Sequence, residues 1–465
     1  MRKFLVILTF LIIVKIAYPN YILGALPGQI IQDPDSPARM IYNGEMVDGR
    51  PKAAIPVGPG DPEDFFFFDT QANIDMLISR GARTVYIMAY NRDFCFPDIC
   101  GPGVNIDETL NQWEVYLTQL ENAGIITVFI FFDDQVSPPS GWETVVDKIV
   151  NKFEHHKLLI WSVAEEWEYG FADDPSLVHD VATRIKDADD NGHIIAVHQI
   201  ESSNFAFNDD SVYPNLNMFM AQINVDPNDV VSMHQRVLDA WNNVGGNEIL
   251  NMAEDVNHAF DTRTTVRQRN WAAVMSGASM VMIHEMGRVS NPPETNDPGK
   301  YSDAARLMDF MESTTVNDMA PRDDLKHDGT QWVLADPGNS YIGYAQNLSS
   351  NMGFRELIPN SNYSLKWLDP VTGAEVSETK TALSSDQSWT KPQEIGNEAA
   401  LFIKRIQSAI QGDANGDGSV DGKDYVIWIG NFVPQESSVD LRADFNGDGL
   451  VDGIDYVRWW GNYGK

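Results

Sequence analysis

Between residues 84 and 285 the chain repeats one unit, a short β-branched and aromatic run followed by a longer stretch whose apolar residues recur at i, i+3 and i+4. The runs are TVYIMAY (84–90), ITVFIFF (126–132), KLLIWSVA (157–164), HIIAVHQ (193–199), NMFMAQIN (217–224), EILNMAE (248–254) and SMVMIHE (279–285). Helical stretches between them include TQANIDMLISRG, TLNQWEVYLTQLENAG and VVSMHQRVLDAWNNVG, each ending at glycine as helices do. Strands apolar along their whole length and joined by crossover helices make a parallel sheet buried on both faces. PKAAIPVG, just upstream, supplies an eighth run, so the pattern predicts an α/β fold of the (β/α)8 TIM-barrel type, within about the 250 residues such a barrel takes. An open doubly wound sheet is the alternative. It calls for a Gly-rich phosphate loop after its first strand, and PVGPGDPEDFFFF carries prolines where that helix would start.

In a barrel, the polar residues that close the strands gather at one mouth, where active sites sit. The strand ends here offer Tyr90 and Asn91, Asp133 and Asp134, Glu165 and Glu166, His198 and Gln199, Gln222 and Asn224, Glu254 and Asp255, and His284 and Glu285. Carboxylates, amides and imidazoles beside Trp161 and Trp167 suit a neutral polyhydroxylated ligand, whose hydroxyls take hydrogen bonds while its C–H faces lie on indoles. A strand alternates its side chains, so of the adjacent Glu165 and Glu166 one is expected to face a cavity. The plain alternatives are a solvated loop for the two glutamates, loop anchors for Tyr90, Asn91, Asp133 and Gln222, a structural hydrogen bond for His198, and a rim pair for His284 and Glu285.

Cleaving a glycosidic bond takes a protonated acid for the departing oxygen and a second carboxylate across the sugar ring; about 5–5.5 Å separates the two in retaining enzymes. Glu166 and Glu254 close the fourth and seventh runs, counting PKAAIPVG as the first. WSVAEEW (161–167) resembles the fourth-strand W-x-L-x-N-E pattern of the large clan of (β/α)8 retaining glycoside hydrolases. More closely, it is similar to the W-N-L-G-E-E-N segment of apiosidase-like barrel proteins, with DADDNGHIIAVH (187–198) in place of a following D-P-x-x-H-P stretch and AED (253–255) at the seventh strand. The resemblance implies Glu166 as general acid/base and Glu254 as nucleophile. Glu165 stands where the wider clan has Asn, which leaves Glu165 itself a candidate for the acid. No cofactor is implied for catalysis.

The start, MRKFLVILTFLIIVKIAYPNYILGA, pairs a basic end with an apolar run shorter than a membrane span and is read as a signal peptide over 1–25, with an uncleaved anchor as the alternative. Export favours a disulfide between the two cysteines, Cys95 and Cys100, which share the short loop RDFCFPDICGPG; two free thiols are the alternative. A net charge of −34 excludes nucleic acid and anionic membrane surfaces as partners, since both would be repelled.

Past the barrel, assigned to 26–318, the chain changes to short alternating strands with turn signals, read as a β-sandwich over 319–407. YSLKWLDPVTGAEV (363–376) resembles the Y-x-V-x-W-x-D-P-R-T-G segment of the small collagen-binding-type domain often attached to such barrels; packing against the barrel is the simpler role. In 408–465 the segments DANGDGSVDGKD (413–424) and DFNGDGLVDGID (444–455) repeat one template 31 positions apart. Each has the oxygen-rich spacing of a calcium loop: Asp413, Asn415, Asp417, Ser419 through its carbonyl, Asp421 and Asp424; then Asp444, Asn446, Asp448, Leu450 through its carbonyl, Asp452 and Asp455. One helical run follows each loop. This duplication resembles a dockerin, implying two calcium ions and a cohesin-type protein partner; Trp428, Trp459 and Trp460 are unusually bulky for its recognition face. The whole reads as a secreted, monomeric glycoside hydrolase acting on a polysaccharide, and the alternative is a non-catalytic carbohydrate- or matrix-binding protein.

Overall fold

The computed structural model describes residues 22, 24–60, 70–90, 105–134, 137–200, 204–209, 211–226, 228–255, 262–284, 297–406, 411–416, 418–432 and 441–464, with the side chains of Tyr90 and His284 left aside. Most of the expected signal peptide, both cysteines, Asn91, Glu285 and Asp417 lie outside the described residues. Among the described residues no helix is long and apolar enough to cross a membrane.

Eight parallel strands form one sheet: β1 (Val57–Pro59), β2 (Thr84–Tyr90), β3 (Ile126–Phe132), β4 (Leu159–Ala164), β5 (Ile195–Gln199), β6 (Met218–Gln222), β7 (Ile249–Glu254) and β8 (Met280–His284). Consecutive strands pair from β2 through to β8, and β8 pairs with β1. The Thr84 hydroxyl donates to the Pro59 carbonyl at 2.8 Å and brings β1 against β2. The sheet is thus a (β/α)8 barrel. Outside it pack α1 (Thr70–Arg80), α2 (Ile106–Asn122), α3 (Trp142–Phe153), α4 (Pro175–Ala188), α5 (Val230–Val244), α6 (Arg263–Met275) and α7 (Pro298–Glu312). Leu110, Trp113, Leu117 and Leu120 make the buried stripe of α2 at helical spacing.

Alternation sorts the strands into two apolar layers. Val85, Ile87, Phe129, Phe131, Trp161 and Val163 point out to the helices, while Tyr86, Met88, Val128, Ile130, Ile160, Met218, Met220 and Met282 fill the lumen. Methionine is prominent inside because its unbranched, flexible side chain fills irregular space.

The expected first strand, PKAAIPVG, divides at Ile55–Pro56. Proline has no N–H for a ladder, so the run breaks there. Its first half joins a three-stranded antiparallel sheet (Ile30–Gln32, Met40–Val47, Arg50–Ala54) and only Val57–Pro59 enters the barrel. The small sheet closes the end of the barrel where the strands begin: Ile30, Met40 and Tyr42 join the lumen cluster, and buried Arg39 donates to the Gly277 and Met319 carbonyls.

Residues 320–405 form a six-stranded and a three-stranded antiparallel sheet around their own core. This sandwich packs on the barrel through Trp271 stacked on Tyr344 (4.8 Å, 9°), His234 stacked on Trp332 (4.5 Å), and a bidentate Arg267–Glu398 pair at 2.8 and 2.9 Å. The W-L-D-P-V-T-G segment is a structural device. Trp367 is buried, and the Asp369 carboxylate accepts the N–H groups of Val371, Thr372 and Gly396, fixing the hairpin.

Candidate active site and C-terminal loops

At the end of β4 the strand stops at Ala164, and Glu166 adopts φ +37°, a left-handed conformation that a non-glycine residue takes only when its surroundings fix it. That turn ends the alternation, and both glutamates reach the mouth. Glu165 is 5% exposed and accepts a hydrogen bond from the Tyr86 hydroxyl at 3.3 Å. Glu166 accepts from Gln222 Nε2 at 2.7 Å.

Glu254 arrives by a different device. Along β7 and β6, Met252 lies opposite Ala221 but Glu254 lies opposite Gln222, so Ala253 is an extra residue. A bulge of this kind re-aims the next side chain. Glu254 would face the helices under strict alternation; the bulge puts it beside Gln222, over the lumen.

The result is a cluster from β4, β5 and β7. One donor atom each of Glu165, His198 and Glu254 lies within 4.8 Å of the other two, and His198 Nε2 is 3.8 Å from Glu254 Oε2. Burial pushes the His198 imidazole down to about 4, against a smaller opposing pull from Asp134, so it is neutral at neutral pH. A neutral ring does not offset the two carboxylates. Glu168, one turn on, is pushed up to about 7, chiefly by burial, with Glu166 and Asp173 adding like charge. Beneath Glu254, buried Asp255 pairs with buried Arg269, whose guanidinium burial lowers to about 10.

Asp133 is buried where β3 ends, and its carbonyl presses on the turn after β4: a Cβ on Gly170 would stand 2.6 Å from it, so only glycine fits. Gln199 serves the loop after β5, donating to the Asn204 carbonyl at 2.7 Å and accepting from Ala206 N at 2.9 Å. Trp161 is not a sugar platform. It belongs to the outward-facing set of β4, fully buried among Phe129, Phe131 and His193. Trp167 is 7% exposed, with its ring edge-on to Phe207 at 5.0 Å.

The sequence reading missed Tyr86 and Glu168. Tyr86 was findable, since TVYIMAY puts residues 86, 88 and 90 on one face and Tyr86 is its first polar side chain. Nothing in the local pattern distinguishes Glu168 from a solvated helical carboxylate.

The two C-terminal loops adopt the same hydrogen-bonded form. Asp413 accepts from Gly416 N and Gly418 N, and Asp444 from Gly447 N and Gly449 N, with all four glycines at φ between +74° and +86°. Asp424 and Asp455 each accept three backbone N–H groups and complete capping boxes with the N-cap residues Asp421 and Asp452 of helices α8 (Gly422–Gly430) and α9 (Gly453–Asn462). The expected placement of Trp428 and Trp459 on an outer face needs correction. Both are buried, and each indole crosses to the other half: Trp428 Nε1 donates to the Asp452 carbonyl and Trp459 Nε1 to the Asp421 carbonyl, both at 2.9 Å. Trp460, 63% exposed, stays outside.

Residues 411–458 match the family profile of the dockerin type I domain. No curated protein matches the chain. Among solved structures, a glycoside hydrolase family 5 protein from Bacteroides vulgatus superposes with a TM-score of 0.57 at 11% identity, over 83% of this chain and 97% of that one. A second structure, named a glycoside hydrolase, gives the same TM-score and identity over 83% and 98%. What is shared at that identity is the fold.

Proposed function

We propose that the chain is a secreted glycoside hydrolase that cleaves a polysaccharide with retention of configuration and is held on a cohesin-bearing partner by its dockerin. The observation that carries this is the apposition of Glu165 and Glu254, with carboxylate oxygens under 5 Å apart at the mouth of the barrel. Nearest oxygens this close favour the about 5–5.5 Å carboxyl separation of retaining enzymes over the about 6.5–9.5 Å that leaves room for water in inverting ones. Glu254, which keeps 22% of its side-chain surface, is the nucleophile. Glu165, buried against it beside a neutral imidazole, holds the proton that two close carboxylates must share and delivers it to the departing oxygen. Glu166 is held by Gln222 and receives substrate hydroxyls with Asp133. The acid role thus goes to Glu165, the other candidate of the sequence, and not to the Glu166 that the family resemblance implies; the short Glu165–Glu254 distance supports it.

The dockerin loops fit calcium. Hard carboxylate and amide oxygens recur at ligand spacing, and glycine allows the sharp turns at Gly418 and Gly449. Two ions would offset aspartates that otherwise repel, and folding of this part follows ion binding. The sandwich braces the barrel.

The test is a hydrolysis screen over plant and microbial glycans, with product anomers followed by NMR. Initial release of the anomer with the substrate's own configuration supports the proposal. Glycan binding without turnover across the panel points instead to a carbohydrate-binding protein, and an inverted first product refutes the retaining mechanism.

A further inference from the structure

On the outer wall of the barrel, near where β4 begins and so away from the mouth, Glu114 and Glu121 of α2 face His155 and His156 of the loop after α3. His156 Nδ1 lies 2.6 Å from Glu121 Oε2. In a neutral ring that bond puts the proton on Nδ1 and leaves a lone pair on Nε2. His156 is 4% exposed, and its Nε2 is buried with no hydrogen-bond partner among the described residues. It points at Glu114 Oε2, 3.5 Å away, which is itself buried without such a partner. Exposed His155 brings its Nε2 to 3.0 Å from Glu114 Oε1, and one donor atom from each of the three residues falls within 4.8 Å of the others.

A lone pair facing a carboxylate oxygen in a buried position is repulsive unless a proton or a metal ion lies between them, and the second imidazole converging on the same carboxylate favours the metal. With metal–ligand bonds of about 2.0–2.2 Å, the donors of a tetrahedral site stand roughly 3.3 Å apart, close to the 3.0 and 3.5 Å that separate the two imidazoles from the Glu114 oxygens. Two imidazoles with a carboxylate select a transition metal over calcium, which takes oxygen ligands. The Glu121–His156 bond is the outer carboxylate that metal-bound histidines commonly have.

We propose that Glu114, His155 and His156 bind a divalent metal ion of the zinc class, with Glu121 orienting His156 and water at the exposed side. The site is independent of the hydrolase reading. The test is calorimetric titration of zinc into the calcium-saturated full chain carrying Glu254→Gln, which removes the other cluster of two glutamates and a histidine. One zinc is expected to bind, at least 100-fold more weakly in His155→Gln, and about 10–100-fold more weakly in Glu121→Gln. Cobalt in place of zinc should give the visible absorption of a tetrahedral site, absent in His155→Gln. Because His155 is exposed, that variant keeps the fold whatever His156 does. Equal zinc affinity in the parent and His155→Gln overturns the proposal. So does an NMR spectrum in which His156 is an imidazolium between the two glutamates and unmoved by zinc, the ion-pair alternative.

Discussion

Replacing Glu165 by Gln keeps shape and burial, leaves an amide oxygen to accept from Tyr86, and removes the acidic proton and the charge, so it separates the role of this residue from that of its neighbour. At 4.8 Å and an effective dielectric near 20, two carboxylate charges repel by roughly 3.5 kcal/mol. His198, neutral above about pH 4, does not relieve this. To escape it the folded pair keeps a proton on Glu165 that the unfolded chain gives up, a cost that is absent in acid and grows as pH rises through and above the ordinary carboxylate range. Glu165→Gln is therefore expected to melt higher than the parent at neutral pH, with the difference closing toward acid, while hydrolysis of a natural glycan falls about 10²–10⁴-fold. An aryl glycoside with a good leaving group needs no acid, and its cleavage should fall far less. Glu166→Gln should slow both substrates alike, as loss of a binding contact does. The assay is a leaving-group series on the two variants beside melting curves from pH 4 to 8. If Glu166→Gln shows the leaving-group dependence and Glu165→Gln does not, the assignment of the acid is wrong; if Glu165→Gln melts lower than the parent at neutral pH, the argument from repulsion fails.

Further consequences lie elsewhere in the molecule. Burial lowers His198 from 6.5 to about 4, so the unfolded chain takes up a proton in that window and the folded one does not. Stability is then lost as pH falls from about 6.5 to 4, by roughly 3 kcal/mol, and His198→Asn should flatten that part of a pH–denaturation profile. Truncating Glu398 to Ala strips buried Arg267 of its bidentate partner while Asp303 remains at 3.1 Å, so the cost at the low end of about 3–5 kcal/mol should appear in urea unfolding followed by tryptophan fluorescence. In the dockerin segment of the intact protein, probed by hydrogen exchange, Trp428→Phe and Trp459→Phe should each cost about 1 kcal/mol and weaken protection of both loops equally, because each indole bonds the opposite half; Trp460→Ala should change neither. Chelating calcium should abolish that protection and leave glycan hydrolysis intact.

The barrel was legible because strands buried on both faces leave uninterrupted apolar runs, and ITVFIFF corresponds residue for residue to β3. The strand ends of β4, β5 and β7 were legible for the same reason: carboxylate and imidazole follow an apolar run at Glu165, His198 and Glu254. The direction of a side chain was harder to read. Trp161 looked like a site residue by proximity to the glutamates, yet parity along LIWSVA turns it to the helices. Glu254 by the same parity should face outward, and only a one-residue bulge, which no composition signals, turns it in. The sheet closing the barrel was missed because Met40–Val47 is half exposed and carries Asn, Gly and Glu, so it lacks the apolar continuity that marked the others. In the dockerin the repeated aspartates were plain. The crossing of Trp428 and Trp459 was not, because an indole's partner on the other repeat depends on how two short helices pack.

The central claim is that Glu254 attacks the sugar carbon while Glu165 protonates the departing oxygen. Incubation with a 2-deoxy-2-fluoro glycosyl fluoride of a sugar found active in the glycan screen, followed by peptide mass mapping, tests it most directly. The account predicts one added glycosyl mass, carried on Glu254 and absent in Glu254→Gln. A label on Glu165 or Glu166 would contradict it, as would turnover of that substrate by Glu254→Gln at the parent's rate.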